Sequence, residues 1–133
     1  MCVKYPTVAD IIAIHDDELE ESGGEPGIQK RARIESAVTR PKQGGFGQDY
    51  YPDLPSKAGV MFHELLCGHG FVDGNKRTAV TVVESFLNVN GARLEVKDRE
   101  FEAFVIDTAD KKQETTKEVI IAWFRKHIRL SES

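Results

Sequence analysis

The chain has 133 residues, 40% apolar and 30% charged, which is about one domain of ordinary soluble composition. No stretch approaches the roughly 18 to 20 uncharged residues needed to cross a bilayer, so no membrane role is expected. Eighteen basic against 22 acidic residues leave a net charge of −4, which argues against a general nucleic-acid coat.

In chain order, Met1 to Pro6 lacks the apolar core of a secretory signal, and two cysteines, Cys2 and Cys67, cannot frame a disulfide scaffold. Reduced thiols in a cytoplasm are expected. Thr7 is a candidate N-cap for a helix from Val8 to Glu21, with Val8, Ile11, Ile12 and Leu19 near helical spacing and Gly23-Gly24 ending it. Seven acidic residues and no Lys or Arg lie between Asp10 and Glu25, a run read as a solvated face. A second helix, about Arg31 to Thr39, carries Ile34, Ala37 and Val38 on one side and stops before Pro41. Gln43 to Asp53, with Gly44-Gly45-Phe46-Gly47 and Tyr50-Tyr51-Pro52, suits a loop or short hairpin.

Helix resumes near Ser56 and runs to about Cys67 with Ala58, Val60, Met61, Leu65 and Leu66 as its apolar content. Lys76 to Asn88 is apolar on most sides and is predicted to be the central helix, with Gly91 punctuating its end. Asp98 is expected to cap a helix reaching about Ala109, and Thr115 or Thr116 a last one through Ile128. No repeat, low-complexity tract or linker interrupts the pattern. The expectation is a single all-α domain over residues 1–133 with one irregular excursion before its middle.

Chemistry is densest in His69-Gly70-Phe71-Val72-Asp73-Gly74-Asn75-Lys76-Arg77-Thr78-Ala79, between two helices. Asp73-Gly74-Asn75 is a tight turn opening the central helix. The unpaired N–H groups of its first turn and the positive end of its dipole would make a site for an anion. Lys76 and Arg77 add charge that opposes the dipole unless an anionic ligand offsets it. Asp73 offers a hard oxygen suited to Mg²⁺ shared with substrate phosphates. His69 carries the side chain whose unperturbed pKa, about 6.5, suits proton uptake near neutrality. Phosphoryl or nucleotidyl transfer is the chemistry such a set implies.

This segment resembles the motif of the Fic/Doc family, His-x-Phe-x-Asp/Glu-Gly-Asn-Gly-Arg-x-x-Arg, and its Doc-like branch in particular, which carries Lys in place of the third glycine. His69, Phe71, Asp73, Gly74, Asn75 and Arg77 match, and Lys76 is the Doc variant. Weaker likeness runs upstream through Gly27-Ile28, Ile34 to Val38, Pro41 and Tyr50-Tyr51, and downstream to Asn90-Gly91.

The resemblance implies a compact helical domain with a short β-hairpin or flap before the active-site loop. His69 would be the general base that deprotonates a hydroxyl of a target protein, and Phe71 would anchor the loop. Asp73 would bind Mg²⁺, while Gly74, Asn75, Lys76 and Arg77 would hold the phosphates of ATP. The segment Gln43 to Tyr51, with Gly44, Gly45, Phe46 and Gly47, would be the flap that docks the target strand.

Two departures from the Fic pattern bear on the reaction. Val80 stands where the final Arg falls, and Lys76 replaces a small glycine. In Doc-like proteins the nucleotide lies reversed, which favours transfer of the γ-phosphoryl group to a Ser/Thr hydroxyl over Fic-type AMP transfer. The implied target is a translation elongation factor resembling elongation factor Tu. No Glu follows a Ser or Thr at the spacing of the self-inhibitory Fic motif. Inhibition would then come from another chain such as a Phd-like antitoxin, with Phe101, Phe104, Trp123 and Phe124 as a conceivable dock but read as core.

The run His63-Glu64-Leu65-Leu66-Cys67-Gly68-His69 also admits a zinc-hydrolase reading. His63 and Cys67 stand one helical turn apart with His69 nearby. The plainer reading makes His63 and Cys67 packing residues and Glu64 a surface group. A non-catalytic binding module that has kept the loop is the remaining alternative.

Overall fold

The computed structural model describes residues 2–110 and 115–131. Six helices carry most of them, with two small two-stranded antiparallel sheets. Helix α1, Val8–Ser22, starts in a capping box: Thr7 Oγ1 accepts the Asp10 N–H, and the Asp10 carboxylate accepts the Thr7 N–H. Helix α2, Arg31–Thr39, runs into a 3-10 turn at Arg40–Lys42, where Pro41 ends the regular pattern. A hairpin then pairs β1, Gly44–Gly45, with β2, Gln48–Asp49. Its tip residues Phe46 and Gly47 both have positive φ, 54° and 77°. That backbone matches the twist of a two-residue hairpin turn.

Helix α3 is Leu54–Cys67, two residues longer at its start than Ser56 suggests, because Asp53 and Ser56 cap it reciprocally. Helix α4 is Asn75–Val89 and helix α5 Asp98–Ala109. Lys97, not Asp98, holds the cap position of α5. Asp98 is its first helical residue, where its charge complements the helix dipole. Thr116 caps α6, Lys117–His127. The expected extension of α6 to Ile128 does not form: β4, Ile128–Leu130, pairs antiparallel with β3, Ala92–Leu94.

Helix α3 is the central pillar. It packs on α2, α4 and α6, while α1 lies against α4. Gly59 allows α6 to approach closely, since a Cβ there would sit 2.9 Å from Ile121 Cα. The core includes Ile11, Ile34, Met61, Phe62, Phe86 and Phe124, all nearly inaccessible to solvent. Phe124 meets Phe62 edge-on at 5.3 Å, and Trp123 stacks on Phe104 at 4.0 Å. With Phe101, those rings form one aromatic cluster packed on the core rather than an open dock.

Glu64 is a correction to its reading as a surface group. It is 2% exposed, with one carboxylate oxygen bound by Arg33 and the other by Arg40. Two guanidiniums from another helix and turn supply the pairing a buried carboxylate needs. Among the described residues no helix is long and apolar enough to cross a membrane.

Candidate active site

The loop between α3 and α4 is held from three sides. Residues 27–30, leading into α2, run antiparallel against it. The Gly70 carbonyl accepts the N–H groups of Gln29 and Lys30 at 2.7 and 2.9 Å, Val72 N–H donates to the Gly27 carbonyl at 3.0 Å, and Ile28 bridges to Phe71. Gly70 is needed here, because a Cβ would lie 2.7 Å from Ile34 Cγ1. His69, half-buried, sits just before this paired stretch with φ of 52°, a left-handed conformation uncommon for a side-chain-bearing residue. Such strain is kept where surrounding contacts impose it.

From the second side, α1 contributes His15. Its ring is 1% exposed and stacks on the buried Phe71 ring at a centroid distance of 3.7 Å. Nε2 lies 2.8 Å from the carbonyl oxygen of Asp73. A carbonyl only accepts, so Nε2 is the nitrogen that carries a hydrogen. Nδ1 lies 3.1 Å from the Asp16 carboxylate.

The third support is Asn75, the first residue of α4. Its Oδ1 accepts the Phe71 N–H at 3.1 Å, and its Nδ2 donates to the Phe71 carbonyl at 2.9 Å. The side-chain amide is therefore committed to the loop, which leaves the backbone N–H as the donor of Asn75 open to another acceptor. Gly74, φ 80°, precedes it in the left-handed region and supplies no side-chain cap. The first-turn N–H groups of α4 are thereby left for an external acceptor.

Asp73 is exposed, and its carboxylate is held below the usual range by the N–H groups of Glu25 first and Gly74 next. Lys76 is exposed, and half-buried Arg77 donates from Nη2 to the Gly23 carbonyl at 3.2 Å. The turn after α1 thus touches both groups: Gly23 meets Arg77, and Glu25 meets Asp73. Gly24 between them has φ of 128°, and a Cβ there would come within 2.9 Å of Asp73 Oδ2.

One cavity of about 880 Å³ gathers His69, Asp73, Gly74, Asn75, Lys76 and Arg77 on its wall. The same wall also carries apolar groups (Leu66, Val80, Phe101, Val105) and carboxylates (Glu18, Glu84, Asp98, Glu102). Burial and the neighbouring Asp98 raise the Glu84 carboxyl above its usual range. Such a wall offers a ligand cationic, apolar and hydrogen-bonding contacts together. The oxygen chemistry of Asp73 fits a hard divalent cation, since each oxygen takes only one N–H and a carboxylate has about four lone-pair sites.

Gly44, Gly45, Phe46 and Gly47 do not line the cavity. They form the separate hairpin, with the Phe46 ring fully exposed. The zinc-hydrolase triad is not built either. His69 lies past the end of α3 in its left-handed turn, and among the described residues no group of three His, Cys, Asp or Glu side chains could hold a metal. Burial lowers the His63 imidazole and raises the Cys67 thiol, and His63 Nδ1 is buried without a partner.

Sequence reasoning passes over His15 and the Gly23–Glu25 turn. A signal for the first exists: His15 stands four residues from both Ile11 and Leu19, on the apolar stripe of α1.

Comparison with known proteins matches residues 5–87 to the Fic/DOC family. Toxin Doc of Mycolicibacterium smegmatis is 40% identical over 72 residues, 54% of this chain and 55% of that protein. The match thus spans little more than half of that relative. Protein kinase doc of Escherichia phage P1 is 32% identical over 92 residues, 69% of this chain and 72% of the phage protein. The loop geometry and the extent of these matches lead to one conclusion: the chain belongs to the Fic/DOC family, on its Doc-like branch.

Proposed function

We propose that the chain is a Doc-like toxin that transfers the γ-phosphoryl group of Mg-ATP to a Ser or Thr hydroxyl of a target protein, a translation elongation factor resembling elongation factor Tu. The observation that carries this reading is the cavity shared by His69 and the uncapped start of α4. The relative named Protein kinase doc supports transfer of phosphoryl rather than AMP. Val80, where adenylyltransferases of the Fic pattern carry Arg, supports the same choice by lining the cavity with an apolar group.

In this reading the polyphosphate lies against the N–H groups at the start of α4, with Lys76 and Arg77 beside it. Asp73 would hold Mg²⁺, which supplies charge neutralisation on the phosphate oxygens. His69 takes the proton of the target hydroxyl as its oxygen bonds to the γ-phosphorus. The bond to the bridging oxygen breaks, ADP leaves, and the proton passes from the imidazolium to solvent. The apolar stretch between α4 and α5 receives the nucleoside. The hairpin offers the target an exposed ring, Phe46, on a backbone that holds it out of the fold. The reaction belongs to a cytoplasmic toxin held in check by a Phd-like antitoxin.

The test is incubation with an elongation factor resembling elongation factor Tu and ATP labelled separately at the α and γ positions. Label retained from γ, and lost with His69→Ala, is the expected result. Retention from α would establish AMP transfer instead.

A further inference from the structure

We infer that His15 is a positioning residue of the active-site loop, acting through the hydrogen bond from its Nε2 to the Asp73 carbonyl. The inference rests on the phosphotransfer reading only for its kinetic arm. Its physical basis is a polar ring on α1, 58 residues away from Asp73 in sequence and 1% exposed, that spends its buried donor on that one backbone oxygen at 2.8 Å.

The placement matters because of what adjoins the carbonyl. The peptide that His15 grips joins Asp73 to Gly74, whose φ of 80° turns the chain into α4. Rotation of that peptide would swing the Asp73 carboxylate and the first N–H groups of α4 together, and those are the two groups assigned to cation and phosphate. One face of the His15 ring is fixed by Phe71, parallel within 5° at 3.7 Å. Gly74 is close as well: a Cβ there would lie 3.5 Å from His15 Cδ2. Asn75 holds the loop at Phe71, two residues earlier. Among the described residues no other hydrogen bond reaches the Asp73 carbonyl, so its orientation depends on the imidazole.

A purely structural histidine would be replaceable by any ring that fills its space. A positioning donor would not. Two variants separate these roles: His15→Phe keeps a ring against Phe71 without a donor, and His15→Gln keeps an N–H near the Nε2 position without a ring. The readouts are amide hydrogen exchange of residues 71–78 and the KM for Mg-ATP against kcat in γ-phosphoryl transfer. For His15→Phe, loop exchange is expected to accelerate about tenfold, the size of one lost buried hydrogen bond. Its KM for Mg-ATP should rise by a similar factor, more than kcat falls. His15→Gln should restore loop protection and KM toward the parent values.

Three results overturn the inference: wild-type loop exchange in both variants, a loss in Gln with recovery in Phe, or equal loss in both. Because exchange is read without substrate, it still decides the role of His15 if the parent protein transfers no phosphoryl group. That failure would count against the proposed reaction alone.

Discussion

Asn75 clasps the backbone of Phe71 at both ends of its amide, accepting the Phe71 N–H and donating to its carbonyl. The residue that opens α4 thereby closes the loop in front of it, so the uncapped N–H groups of the helix start and the left-handed His69 turn share one brace. Asn90, just past the other end of α4, repeats the device on the backbone of Lys4, at 2.8 Å for both bonds.

Asn75→Asp exchanges the donor for a second acceptor and sets it against the Phe71 carbonyl. One lost bond and one new repulsion should cost about 2 kcal/mol of stability. Phosphoryl transfer should fall by at least tenfold. Denaturant melts and single-turnover rates of the variant check this. A stable, fully active Asp variant would show that the clasp is dispensable.

Arg77→Ala tests the cradle itself. The guanidinium borders the cavity and spends one donor on the Gly23 carbonyl, leaving others for a ligand. The KM for ATP is expected to rise about tenfold or more with little loss of fold stability. Arg77→Lys, a point charge without the fork, should recover only part of that loss. Initial rates over a range of ATP concentrations would reveal an unaltered KM if the assignment is wrong.

Much of this fold was legible in the amino-acid pattern, because the helices announce themselves through caps and spacing. The Thr7 box, the Pro41 stop and the apolar faces of α3 and α4 are local signals. What escaped is non-local. β3 and β4 are three residues each, too short for an alternating pattern to declare, and they pair across 33 residues or more. Glu64 reads as polar and therefore exposed until Arg33 and Arg40 are brought to it by α2 and its following turn. The family motif singled out His69 and Asp73, but the residue that touches the Asp73 carbonyl lies on α1, where nothing in the motif points.

Glu64→Ala leaves Arg33 and Arg40 facing each other across a vacated buried site. Both guanidiniums keep some contact with water, at 53% and 33% exposure, so the loss should be smaller than for a fully enclosed pair, about 2 kcal/mol. The urea midpoint reports it. Arg33→Ala, which leaves Arg40 in place, should cost less than half as much.

His63 gives the pH dependence a direction. Burial holds its imidazole below the usual range, so as pH falls the unfolded chain takes up that proton first. The contribution is complete above the unfolded value of about 6.5 and is lost progressively below it. Urea midpoints at pH 7.5 and 5.5 should show this decline in the parent chain. In His63→Leu the decline should be shallower, with stability at pH 7.5 at least equal to the parent, since Nδ1 has no partner to forfeit. An unchanged slope would place the acid sensitivity elsewhere.

Gly74 leaves α4 without a side-chain cap, and two cations sit where the helix dipole disfavours them. The free chain therefore holds its middle helix at a higher free energy than an Asp- or Ser-capped start would impose. A polyanion settling there relieves that tension and, by mass action, raises the midpoint of heat denaturation as its concentration grows. The melting curve of the chain thus doubles as a titration curve for whatever this helix start receives, with no acceptor protein required.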